Sequence, residues 1–172
     1  TQKLIPFWEN LRDEEYGGFY GYMGYDLKVQ KDYEKGCILN SRILWFFANA
    51  YMTLGEEKLK EDADHAYAFL KEKCLDREYG GMFWSVTYDG KPSDTTKHTY
   101  NQAFAIYALS SYYDATGKKH FLDIVSKFAD LICRTFGPEE GKIHGYPGHQ
   151  EIELALVKLY RVTGKKEYLE LA

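Results

Sequence analysis

Three apolar runs in this chain close on the same punctuation, a tyrosine followed four residues later by a glycine: Tyr51 and Gly55, Tyr113 and Gly117, Tyr160 and Gly164. The surrounding stretches, "RILWFFANAYMTLGEEKLKEDADHAYAFLKE", "FAIYALSSYYDATGKKHFLDIVSKFADLICR" and "EIELALVKLYRVTGKKEYLELA", align on those glycines. Each reads as a helix, a glycine turn and a second helix, because glycine accepts the left-handed conformation that ends helices. In the third copy Ile152, Ala155, Leu156, Leu159 and Tyr160 share one helical face. Leu154 and Val157 make its opposite side apolar too, so this helix is expected to be enclosed. Helices after the glycines carry a single stripe, such as Leu59, Ala63, Ala66, Tyr67 and Leu70, and are expected to face water elsewhere. One copy cannot bury its apolar surface alone, so the copies must stack. The pattern predicts one all-α domain over residues 1 to 172, an α/α toroid of three inner/outer helix hairpins. A plain α-solenoid or irregular bundle is the alternative.

A second repeat lies between the helices. "DEEYGGFYGYMGYD" at 13 to 26 and "DREYGGMFWSVTYDG" at 76 to 90 align Tyr16 with Tyr79 and Gly17-Gly18 with Gly80-Gly81, at an offset of 63 residues. Paired glycines followed by aromatic and β-branched residues predict short β excursions in the connecting loops. The net charge of -4, without long runs of one sign, argues against a nucleic-acid partner. The opening "TQKLIPFWENLRDEEYGG" acquires charge too early for a signal core, and no window is apolar for long enough to span a bilayer. A cytoplasmic protein without a membrane partner is expected. Cys37, Cys74 and Cys133 are scattered, without zinc-like grouping, and read as ordinary thiols of a reducing compartment. Sixteen tyrosines and an aromatic fraction of 17% are the unusual feature. Tyrosine suits a packed core and equally suits the face of a sugar, and composition does not separate the two.

The segments "NSRILWFFANAY" at 40 to 51 and "KHTYNQAFAIYAL" at 97 to 109, each preceded by an "EYGG" excursion, resemble the cellobiose 2-epimerases of the acylglucosamine epimerase superfamily over residues 1 to 117. That resemblance implies an (α/α)6 barrel, of which this chain holds about half, and inversion of C2 in a reducing-end sugar without a cofactor. It places the family's sugar-holding arginine on Arg42 and its tyrosine on Tyr100. From 118 to 172, "FGPEEGKIHGYPGHQEIELALVKLYRVTGKKEYLELA" is similar instead to the β-L-arabinofuranosidase family of glycoside hydrolases. There the histidine of a Gly-His-x-Glu motif, here His149, lies in the sugar pocket, while that family's catalytic cysteine and zinc-binding cluster have no counterpart. Two sugar-enzyme families therefore meet in one chain near the turn at Gly117, as in a partial or chimeric barrel.

Counted back from the turn glycines, Arg42 stands thirteen residues before Gly55, Tyr100 seventeen before Gly117 and His149 fifteen before Gly164. Parallel inner helices would gather all three at one mouth of the toroid, where backbone N–H groups are also free. For each a structural role competes with substrate contact: a salt bridge for Arg42, packing for Tyr100. His98 and Asn101 are weaker candidates because such residues also start helices, and Trp45 and Trp84 suit either core packing or a stacking platform. His65 and His120 fall on outer-helix or turn positions and are expected to be solvated. His149 and Glu153 are spaced to share a helical face, with Glu151 on another side and His144 in the loop ahead of Pro147. A metal site needs three or four convergent ligands, so none is expected there. Glu151 and Glu153 already have a structural reason, the dipole of the helix they begin.

Epimerisation at C2 removes the proton α to the open-chain carbonyl and returns one to the other face, so two acid/base groups must flank that carbon. The resemblance assigns these to histidines on later barrel helices, and the five histidines here do not occupy those motifs. Catalytic residues are therefore left unassigned, and Arg42, Tyr100 and His149 are expected to bind a mono- or disaccharide. Alternatives are a non-catalytic scaffold that self-associates, two copies closing one ring, and a piece of an arabinofuranosidase-like hydrolase.

Overall fold

In a computed structural model, which describes residues 3–118, 120–145 and 148–172 with backbone only for 120 to 122, the aligned stretches form helical hairpins. A short α1 (Leu4–Glu9) precedes them. The first hairpin is α2 (Cys37–Leu54) with α3 (Glu57–Phe69), which runs on into a π-helical turn at Leu70–Cys74. The second is α4 (Thr99–Thr116) with α5 (His120–Thr135), and the third α6 (Glu151–Thr163) with α7 (Lys166–Leu171). Helices α2, α4 and α6 pack side by side as an inner layer, each backed by its own outer partner. This is an arc of an α/α toroid.

Each turn glycine does what its position requires. Gly55, Gly117 and Gly164 have φ of 73°, 68° and 74°, and their N–H groups donate to the carbonyls of Tyr51, Tyr113 and Tyr160 at 2.8, 2.7 and 2.7 Å. The tyrosine four residues earlier is thus the acceptor that closes the helix, as in an αL cap.

The outer stripe holds: Leu59, Ala63, Ala66, Tyr67 and Leu70 are all buried. Val125, Phe128, Ala129 and Ile132 form its counterpart on α5. Tyr67 stacks on Tyr112 at 5.0 Å, tying outer α3 to inner α4. Helix α4 is enclosed between its neighbours, with Asn101, Gln102, Ser110 and Ser111 buried beside its apolar residues. Helix α6 departs from the expected enclosure. Ile152, Ala155, Leu156 and Leu159 are buried, but Leu154 is 63% exposed, because α6 packs on α4 and α7 and, among the described residues, Leu154 is turned away from both.

Of the two excursions, the first carries isolated antiparallel bridges, Arg12 with Phe19 and Met23 with Val29, and the second carries one short strand of a sheet whose other strands lie just outside the excursions. Strands β1 (Lys35–Gly36), β2 (Ser85–Val86) and β3 (Pro92–Asp94) make one antiparallel sheet, with Lys35 opposite Val86 and Ser85 opposite Asp94. The paired glycines all have positive φ, between 69° and 81°. At Gly18 space is as restrictive as φ, since a Cβ there would meet the Phe69 ring at 2.6 Å and Asn40 Oδ1 at 2.8 Å.

Both excursions are locked by one device. Asp13 accepts the N–H groups of Glu15 and Tyr16 at 2.9 and 3.1 Å and takes the Lys35 ammonium at 2.5 Å. Asp76 accepts the N–H groups of Glu78 and Tyr79, both at 2.9 Å, and takes Lys97 at 2.6 Å. Burial pushes the Asp13 carboxyl upward, but Lys35 and the two backbone donors outweigh it and hold it below its usual value. Lys97, followed by the N–H of Tyr79, lowers Asp76 in the same way. From the inner helices Asn40 accepts the Phe19 N–H at 2.9 Å, and Gln102 accepts the Met82 N–H at 2.8 Å.

Candidate functional site

The three candidate residues belong to three hairpins, and one aromatic ladder joins them. Tyr100, in the first turn of α4, lies with its ring centroid 4.6 Å from that of His149, just ahead of α6. One turn further along α4, Phe104 meets Tyr100 edge-on at 5.1 Å. The guanidinium of Arg42, in the second turn of α2, stands 5.1 Å from the centroid of that same Phe104. A cation over a ring face in partly open surroundings gains on the order of 1 kcal/mol, enough to aim the side chain without consuming its five donors. Arg42 is exposed, and among the described residues it has no ion pair, so the structural salt bridge considered for it is not formed.

Beside the ladder a groove of about 550 Å³ is lined by Trp84, Lys97, His98, Thr99, Tyr100, Phe136, Gly148 and His149. Trp84 meets His98 edge-on at 5.1 Å on its wall. Trp45, 38% exposed, stacks with Tyr107 at 6.3 Å and borders a separate groove of about 410 Å³ that also holds Arg42. This mixture of aromatic faces and unspent donors suits a polyhydroxylated ring, which offers C–H surface to the rings and hydroxyls to the polar groups.

Several expectations change. His65 is not solvated: its Nε2 lies 2.9 Å from the Gly18 carbonyl, its ring meets Phe19 edge-on, and burial holds the imidazole below its usual value. The side chain of His120 and the whole of Pro147 lie outside the described residues. His149 and Glu153 do not share a helical face, because Gly148 has a φ of 98° and α6 starts only at Glu151. Glu151 is instead the carboxylate nearer His149, at 4.0 Å from Nδ1. His144 is exposed, 3.1 Å from the Glu139 carbonyl. Glu151 and Glu153 do occupy the first turn of α6, where the helix dipole favours them. Among the described residues no three His, Cys, Asp or Glu side chains are grouped to hold a metal ion, and no helix is long and apolar enough to cross a membrane.

Asn101 is fully buried and donates to the Phe83 carbonyl at 2.7 Å, so it braces the second excursion and does not face the groove. Asn40 and Gln102 are the residues that sequence reasoning missed. Both stand fifteen residues before their turn glycines, at the position His149 holds in the third copy. Counting from the glycines would have found them. The cysteines are free thiols; Cys74 is raised by complete burial and by the adjacent Cys37.

Comparison with known proteins follows this architecture. The family model for the β-L-arabinofuranosidase GH127 catalytic domain matches residues 41–172. A cellobiose 2-epimerase of Eubacterium cellulosolvens is 55% identical over 146 residues, 85% of this chain and 36% of its own length. A non-reducing end β-L-arabinofuranosidase of Bifidobacterium longum is 54% identical over 67 residues, 39% of this chain and 10% of its own. These spans exceed the chain when laid end to end, so the two likenesses overlap. A solved sugar epimerase from a ruminal bacterium superposes with a TM-score of 0.87 at 42% identity, over 97% of this chain and 50% of its own. The arc is therefore about half of an (α/α)6 barrel. The chain spans about a third of the length of the cellobiose 2-epimerases it matches.

Proposed function

We propose a sugar-binding role for this chain, which belongs to the β-L-arabinofuranosidase GH127 catalytic-domain family and carries cellobiose 2-epimerase-like sequence over most of its length. The observation that carries the proposal is the ladder from Arg42 through Phe104 and Tyr100 to His149, which sets a cation, a phenol and an imidazole on one inner face. In this reading the reducing-end unit of a cellobiose-like disaccharide lies against Tyr100 and His149, and Arg42 donates to its oxygens. Within the complete reaction, C2 epimerisation by proton removal and return, these residues orient the sugar. The paired acid/base groups are left to histidines on other barrel helices. No cofactor enters this scheme, and a reducing cytosol suits the three free thiols.

Titration with cellobiose, followed by the fluorescence of Trp84 and Trp45, tests the binding role. Saturable change is expected, with affinity about tenfold weaker or worse in Arg42→Ala, the scale of a lost charged hydrogen bond. A flat response to cellobiose, mannose and arabinose sinks it. Conversion of cellobiose to its C2 epimer separates the readings: product above background, lost in Arg42→Ala, makes the chain an epimerase in its own right.

A second reading, a scaffold in which two copies close one ring, is favoured by the apolar surface left open on both flanks, with Trp45 38% and Leu154 63% exposed.

A further inference from the structure

His149 and Glu151 share an unfinished contact. Glu151 Oε2 is buried and has no hydrogen-bond partner, and this same oxygen is the one that lies 4.0 Å from His149 Nδ1. A buried carboxylate oxygen without a donor forfeits the hydrogen bonds it made in water, so such an atom calls for a physical reason. Nδ1 is the donor closest to supplying one, since among the described residues Glu151 has no other ion pair.

The surroundings allow that gap to close. The His149 imidazole lies against Tyr100 with ring centroids 4.6 Å apart and planes 40° apart, so one face of the ring is already covered. Its side chain is otherwise 65% exposed, and the residue stands ahead of α6, just after Gly148 with its φ of 98°. Glu151 is fixed by contrast, as the first residue of the helix. A shift of about 1 Å in the imidazole brings Nδ1 to about 2.8 Å from Oε2, the length of a hydrogen bond to a carboxylate. Contacts of this kind are often long in the free protein and tighten around a ligand.

Resting on the sugar-binding reading above, we infer that Glu151 is a positioning residue: when the groove fills, it accepts the Nδ1–H of His149 and so holds the imidazole in the tautomer whose Nε2 accepts a sugar hydroxyl. With Nδ1 turned to Glu151, Nε2 is the nitrogen left for the groove of about 550 Å³ that His149 lines. The tautomer of a neutral imidazole is set by the hydrogen bond that its other nitrogen makes. Without Glu151, His149 donates to a hydroxyl as readily as it accepts from one. The pairing therefore gives the site a defined polarity, an acceptor at His149 to complement the donors of Arg42, and a sugar hydroxyl answers to both. Glu153 supplies the contrast on the same helical turn. Its Oε2 is also buried without a partner, but it opens on a different cavity, of about 420 Å³, with Ile143 and His144.

Cellobiose titration of a double-mutant cycle tests this. Glu151→Ala should weaken binding about tenfold in the wild-type background, the scale of a lost hydrogen bond to a charged group, and by less than about twofold once His149→Ala is present. Glu153→Ala removes a carboxylate from the same helical turn and should leave the affinity unchanged, so a loss that came from the helix dipole would appear in both glutamate variants. Ring-nitrogen NMR in weakly alkaline buffer gives the direct readout: with cellobiose bound, His149 should be the Nδ1–H tautomer, and Glu151→Ala should abolish that preference. Equal losses in both backgrounds, equal losses for the two glutamates, or a bound His149 in the Nε2–H form overturns the positioning role while the sugar reading stands. A wild-type chain that gives a flat response to every sugar overturns the sugar reading, and this role with it.

Discussion

The first and second excursions are wired alike and sealed differently. Lys35 and Asp13 are 0% and 1% exposed, whereas Lys97 and Asp76 keep 23% and 11% of their side-chain surface in water. The first pair is closed over by Tyr20 and by Phe69 at the end of α3, each under the Lys35 ammonium. The second meets the exposed Tyr79 ring. The carboxylates are held by matching bonds, though Lys35 also donates to the Gly17 carbonyl at 2.8 Å, and the consequences are unequal because what a broken pair costs is set by the charge left behind and by whether water can reach it.

The largest expected effect follows directly. Asp13→Ala strands a buried ammonium and should destabilise the fold by about 3–5 kcal/mol, while Asp76→Ala, with water at hand, should cost about 1–2 kcal/mol. Urea midpoints that are equal for the two would break the comparison. Gly18→Ala adds a Cβ against Phe69 and Asn40 at a positive φ and should cost about 3 kcal/mol. Gly80→Ala meets open space and should cost about 1 kcal/mol, backbone strain alone. Thermal melts of this pair separate crowding from conformation.

Acid gives a gentler probe. Both carboxyls titrate below their ordinary range in the folded chain, so the unfolded chain binds more protons in mild acid. Their stabilisation is fully present above the unfolded value of about 4 and disappears as pH falls through the folded values. Stability measured against pH should be flat from neutrality toward that value and fall below it. Asp13→Asn should remove part of the fall, and an unchanged profile would mean that Asp13 is not linked to folding. The smallest effect belongs to the third copy. His149→Ala, at the height where Asn40 and Gln102 hold excursions but exposed and outside a helix, should change stability by less than about 0.5 kcal/mol while weakening cellobiose binding.

The same contrast marks what the sequence made legible. Turn glycines and their acceptor tyrosines could be read directly, because a left-handed helix end has few chemical solutions. Glycine pairs of the excursions were visible for a similar reason. Lys35 and Lys97 were not, although Asp13 and Asp76 open the very segments that revealed the repeat. They lie 22 and 21 residues downstream, and nothing in the letter K distinguishes a buried ammonium from a solvated one. His65 misled in the same direction, an outer-helix histidine whose neighbour is a loop carbonyl arriving from 47 residues away. At the site, Tyr100 and His149 could be placed at one mouth by counting. Their link to Arg42 through Phe104 could not, since side-chain direction at equal height depends on how the inner helices are rotated.

The shared helix stop has a consequence for how the arc is built. Because each glycine ends its inner helix with the same bond from its N–H to a tyrosine carbonyl, the three inner helices finish in one chemical state although their side chains differ. Each hairpin thus carries its own stop, and one stack accommodates sequence similar both to a cellobiose 2-epimerase and to a β-L-arabinofuranosidase.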